Sequence, residues 1–87
     1  MSFYSHFGEI VEIVGNAGEQ HPSYLKYEDV LLKVRITEGE GKGQTFFQFR
    51  YTLRAEGGLN ALEAAIATAP KLTLNAAQLQ AALKEAE

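Results

Sequence analysis

The chain predicts an α+β fold: a small antiparallel meander or partly open β-barrel of three or more strands, followed by two short C-terminal helices. Three observations carry this. Apolar and polar residues alternate over residues 30–37 and 45–53, the period of two that a strand imposes. A glycine-rich link, "EGEGKGQ", joins those segments and suits a hairpin turn. Beyond residue 58 the period becomes helical and alanine becomes the commonest residue.

The elements follow in order. "FYSHF" at residues 3–7 places three aromatics in five positions; Phe7 is expected in the core, while Phe3 and Tyr4 either begin a strand or form an adhesive patch. "FGEIVEIV" at 7–14 is β-branched and ends in the turn residues Gly15 and Asn16. Its alternation is not clean, which predicts a strand partly buried on both faces. "NAGEQHPS" reads as a loop, because the residue before Pro22 is pushed away from helical angles. In the first long strand Val30, Leu32, Val34 and Ile36 are expected inward, with Lys33 and Arg35 outward. In the second, Phe47, Phe49, Tyr51 and Leu53 are expected inward, with Phe46, Gln48, Arg50 and Thr52 outward. Strands of this length span about 26–30 Å and tend to curl as they twist.

Asn60 with Glu63, and Asn75 with Gln78, have capping-box spacing; Leu74 and Leu79 have that of a hydrophobic staple. Narrow apolar stripes follow, Leu62–Ala65–Ile66–Ala69 and Leu79–Ala82–Leu83–Ala86, and Pro70 stops the first helix. Neither short helix would persist alone in water, so both are expected to dock over one sheet face or barrel end.

Residues 1–87 are read as one domain, strand-rich over 1–54 and helical over 59–87, since two cores would each be too small. There is no cysteine, which excludes a disulfide framework and a zinc–thiolate site and fits a cytoplasmic protein. The start lacks the pattern of a signal peptide, and no apolar run approaches the ~20 residues of a membrane span. Net charge is −3, which weighs against nonspecific nucleic-acid binding, although residues 24–54 carry six basic side chains against four acidic ones.

Most chemistries find no footing. The glycine-rich link joins two predicted strands and Lys42 precedes Gly43, so a phosphate-binding loop is excluded on context. His6 and His21 match no metal-ligand spacing, the few serines lie in no nucleophile elbow, and no carboxylate pair suits acid–base work. No catalytic residue, metal or cofactor is expected. The suggestive feature is the outward hairpin face: Lys33, Arg35, Phe46, Gln48 and Arg50 as a candidate interaction surface. The leading expectation is a non-catalytic protein-interaction domain, binding a protein partner or itself as a homo-oligomer, with no membrane partner. The alternative is a single-stranded nucleic-acid-binding barrel using the basic and aromatic face of the 30–53 hairpin. Oligonucleotide-binding and SH3-like barrels are architectural analogies only, and assign no function.

Overall fold

The computed structural model describes residues 2–17 and 30–86. Expectations about His21 and Pro22 lie outside the described residues. Within them, β1 (Phe3–Tyr4), β2 (Ile10–Asn16), β3 (Leu31–Ile36), β4 (Thr45–Phe49) and β5 (Arg54–Ala55) form one antiparallel sheet in the order β4-β3-β2-β1-β5. Two helices follow, α1 (Gly58–Thr68) and α2 (Ala76–Ala86). The fold is the expected α+β arrangement with an open antiparallel sheet. Among the described residues no helix is long and apolar enough to cross a membrane.

The strand expected over 45–53 ends at Phe49, and residues 50–52 turn through one 3-10 helix before β5. That turn shapes the sheet. β4 and β5 are the two edge strands, four spacings or about 19 Å apart if the sheet were flat. The chain from Phe49 to Arg54 covers roughly 13 Å, since three of its residues rise only ~2 Å each. The sheet must therefore curl at this end, although its strands are shorter than the sequence predicts.

A bulge adds to the coiling. Ile13 pairs with Val34 but Gly15 pairs with Lys33, so Val14 is the extra residue on β2. This explains the imperfect alternation of "IVEIVGN": the bulge switches which face each later side chain meets. Gly15 then lies on the Lys33 face, where an added Cβ would sit 2.5 Å from Leu72 Cδ1. Glycine is needed there because residues 70–72 cross the end of β2. Asn16 N–H donates to Pro70 O (2.9 Å), and Leu72 N–H donates to Asn16 O (2.7 Å).

The helices cover opposite faces of the sheet, where docking over one sheet face or barrel end was expected. Leu62 and Ile66 of α1 join Val11, Leu32, Val34, Ile36 and Leu53 in one buried cluster. Leu79 and Ala82 of α2 join Leu31 and Ala17 in a second, with Phe47 and Phe49 packed against it. Adjacent residues of β3 thus serve different cores, which is why Leu31 and Leu32 are both fully buried. Each such side chain is worth about 1.5–3 kcal/mol. The strap from Ala69 to Asn75 carries the chain from one layer to the other.

The caps divide in the same way. The Asn75–Gln78 box forms as expected: Gln78 N–H donates to Asn75 Oδ1 (2.8 Å) and Asn75 N–H to Gln78 Oε1 (3.0 Å). Leu74 packs on the cluster that holds Leu79, as a staple should. The Asn60–Glu63 box does not form, because α1 begins earlier, capped at Gly57, and places both residues inside the helix. Glu63 instead binds Arg50.

Candidate interaction site at the edge strand

The register of β3 with β4 decides where the candidate residues lie. Leu32 pairs with Gln48, Lys33 with Phe47 and Val34 with Phe46. Directly opposed residues share a face, so Phe46 and Gln48 lie with Leu32 and Val34, toward α1. Lys33 and Arg35 lie on the other face with Phe47 and Phe49. The expected strip of Lys33, Arg35, Phe46, Gln48 and Arg50 is therefore split between the two sides of the sheet. Gln48 is only 4% exposed. Arg50 stands in the 3-10 turn, its guanidinium 2.7 Å from Glu63 Oε1. Arg35 binds Glu12 across the strands, Nε donating to Oε1 at 2.7 Å. Lys33 Nζ sits 5.5 Å from the centre of the Phe47 ring.

What the fold does assemble is an aromatic edge. β4 carries Phe46, Phe47 and Phe49 and no charged side chain, and among the described residues only β3 flanks it. Arg50 N–H donates to Val30 O and Ile36 N–H to Gln44 O, which fixes the alternation along the ladder. Even-numbered residues of β4 bond β3; the backbone groups of Thr45 and Phe47 point away from it, toward the open edge.

Exposed aromatics gather beside that edge. Tyr51, expected inward, is 71% exposed and stacks flat on Phe49, their ring centres 5.5 Å apart. The 3-10 turn causes this, since it breaks the alternation after Phe49. Phe7, expected in the core, is 79% exposed. It belongs to a tight turn between β1 and β2 rather than to a strand. Ser5 holds that turn: its buried hydroxyl donates to Glu9 Oε1 (3.0 Å) and accepts the N–H groups of Phe7 (3.1 Å) and Glu9 (3.2 Å). Phe3 by contrast packs against the first core cluster. A groove of about 210 Å³ runs between His6 and Phe7 on one side and Phe47, Phe49 and Tyr51 on the other. A shallower one of about 680 Å³ lies between α2 and the Lys33–Phe47 pair.

Gln48 lines the aromatic groove with an incomplete set of bonds. Its Nε2 donates to Thr52 Oγ1 (2.6 Å), and that hydroxyl donates to Phe49 O (2.7 Å). The buried Oε1 has no hydrogen-bond partner among the described residues. Among the described residues no group of three or more His, Asp or Glu side chains could hold a metal ion. Nothing in the sequence periodicity marked Phe7 or Tyr51 as exposed; the signals were the Ser5–Glu9 turn spacing and the polar run at residues 50–52. Comparison with protein-family models, curated proteins and solved structures finds no match.

Proposed function

We propose that this chain is a non-catalytic, self-associating protein-interaction domain whose working surface is the open edge of β4 together with the aromatics beside it. One observation carries the reading: an edge strand with no charge on it, flanked by two large aromatic side chains left in solvent. Edge strands that must stay single usually carry lysine, proline or a covering element, because their free backbone groups template another strand. Strand addition supplies affinity through main-chain bonds and selectivity through side-chain pockets, and the Phe7–Tyr51 groove offers such a pocket. The cysteine-free composition suits the reducing cytoplasm.

Single-stranded nucleic acid draws less support. Its platform needs free basic and aromatic groups on one surface; Lys33 and Arg35 share a face with Phe47 and Phe49, but those rings pack against the α2 cluster, Arg35 is paired with Glu12 and Lys33 sits against Phe47. A photo-crosslinking amino acid in place of Tyr51 tests the interaction reading. Protein adducts are expected, and Thr45→Glu, which sets a charge on the edge, should abolish them. Adducts that persist with Thr45→Glu, or none at all, would count against it; salt-sensitive capture of an oligonucleotide would favour the alternative.

A further inference from the structure

Beyond the strand edge itself, we infer that the aromatic groove is a guanidinium site, filled by an arginine side chain of a different protein. At about 210 Å³ the groove is smaller than the ~300–1,000 Å³ of a pocket for a drug-sized ligand, and suits a single long side chain.

Its chemistry asks for a cation that donates hydrogen bonds. Tyr51 lays one ring face on Phe49, 7° from parallel, and its high exposure leaves the other face in solvent. Aromatic faces attract cations, and Phe47 already holds one in Lys33, whose Nζ lies 5.5 Å from the ring centre. Glu85 of α2 brings a carboxylate to the groove, and buried Gln48 brings an amide oxygen with no donor among the described residues. An N–H that reaches this oxygen removes the cost of an unmet acceptor. The Thr52 hydroxyl is already used, accepting from Gln48 Nε2 and donating to Phe49 O. His6 and the Tyr51 hydroxyl can accept as well as donate. An anion would meet ring faces and a carboxylate, and is excluded.

Shape chooses among cations. An ammonium is a compact, strongly hydrated point charge. A guanidinium is planar and weakly hydrated, and it carries five N–H donors. It can lie flat on Tyr51 while its edge serves Glu85 and Gln48.

The surrounding charges leave this role open. Glu85 also lines the shallower groove, where Lys33 and Lys84 stand, but it forms no ion pair with either among the described residues. The chain's own three arginines are held elsewhere. Arg35 binds Glu12, Arg50 binds Glu63, and Arg54 donates to the carbonyl oxygens of Tyr51 (3.4 Å) and Leu53 (3.3 Å). The occupant is therefore another protein's arginine, which the net charge of −3 attracts.

Titration with N-acetyl-arginine methylamide, followed in proton–nitrogen NMR spectra, tests the inference. The backbone signals of His6, Phe7 and Tyr51 and the side-chain amide of Gln48 should shift saturably, with a Kd on the order of 1 mM. The uncharged citrulline counterpart and the trimethyl-lysine counterpart should bind several-fold more weakly. Tyr51→Ala should weaken arginine binding by about twofold to tenfold, and Glu85→Gln and Gln48→Met by roughly two- to fivefold each. Glu38→Gln, which removes a carboxylate outside the groove, should change nothing. Far-UV circular dichroism of each variant checks the fold. No saturable shift, equal binding of citrulline or trimethyl-lysine, or indifference to both Tyr51→Ala and Glu85→Gln would overturn the inference. Thr45-dependent adducts through Tyr51 without arginine binding would overturn it and leave the edge reading standing. Arginine binding without such adducts would support the site and count against the edge reading.

Discussion

Replacing Gly15 with alanine tests the junction that ties the two layers to one sheet. The added methyl would lie 2.5, 2.6 and 2.8 Å from Cδ1, Cγ and Cδ2 of Leu72. Rotating Leu72 about χ2 alone cannot relieve this, because Cγ itself is inside contact distance. Either Leu72 changes χ1 and leaves its place against the second cluster, or the strap moves against the bonds between Asn16, Pro70 and Leu72. Overpacking of this kind costs about 1–3 kcal/mol. The gain from replacing a strand glycine offsets roughly 0.5–1 kcal/mol. A net loss of about 1–2 kcal/mol, at roughly 4–8 °C per kcal/mol for a chain of this size, lowers Tm by ~5–15 °C. Thermal unfolding followed by far-UV circular dichroism reads this directly. Leu72→Ala alone, at a half-buried site, should cost about 1–2 kcal/mol. The double variant should be no less stable than Leu72→Ala, because the clash is gone. If Gly15→Ala left Tm unchanged, or if the two losses simply added, the close approach of strap and strand would be refuted.

Three further outcomes follow from the same geometry. Gln48→Met removes an unpartnered buried acceptor that costs about 1–3 kcal/mol, and with it one bond worth about 0.5–1.5, so stability in urea should hold or rise slightly. A clear loss would mean that Oε1 is satisfied. Asn75→Ala should cost about 1 kcal/mol through the lost cap of α2, measured by the same unfolding, whereas Asn60→Ala, inside α1, should cost nothing or stabilise. The Glu12–Arg35 pair is half in water, so a double-mutant cycle should give a coupling below about 1 kcal/mol that shrinks as salt rises.

The fold class, the hairpin and the α2 cap were legible because each rests on a short-range rule. Alternation over 31–36, glycines in a turn and Asn75 three residues before Gln78 need no knowledge of what packs on top. The α1 cap misled for the same reason. Asn60–Glu63 has the right spacing, but α1 begins at Gly58, and the nearby Arg50 gives Glu63 another partner. The exposure of Phe7 depends on Ser5 and Glu9 closing a turn that interrupts an apparently continuous apolar run. Placing the helices on two faces was out of reach, because "VLLKVRIT" is half-buried by pattern and becomes buried on both sides only where α2 meets Leu31.

The candidate site turned on parity. Pairing Leu32 with Gln48 and Val34 with Phe46 sets even residues of β3 against even residues of β4. The sequence reading put the even residues of one strand beside the odd residues of the other, which is a slip of one. In a two-residue period such a slip moves every side chain to the opposite face. The sequence of β4 could not decide it, since "TFFQF" offers aromatics on both parities. The turn decides it. Gly43, at φ 93°, takes a backbone shape that other residues rarely adopt, and its N–H donates to Ile36 O while Ile36 N–H donates to Gln44 O. That closure sets the register from the turn end. It sends Phe47 and Phe49 toward α2 and Phe46 with Gln48 into the first core. The basic side chains Lys33 and Arg35 are thereby separated from Phe46. The aromatic surface that remains lies at the rim of the sheet, beside the backbone groups of Thr45 and Phe47 that β3 does not use.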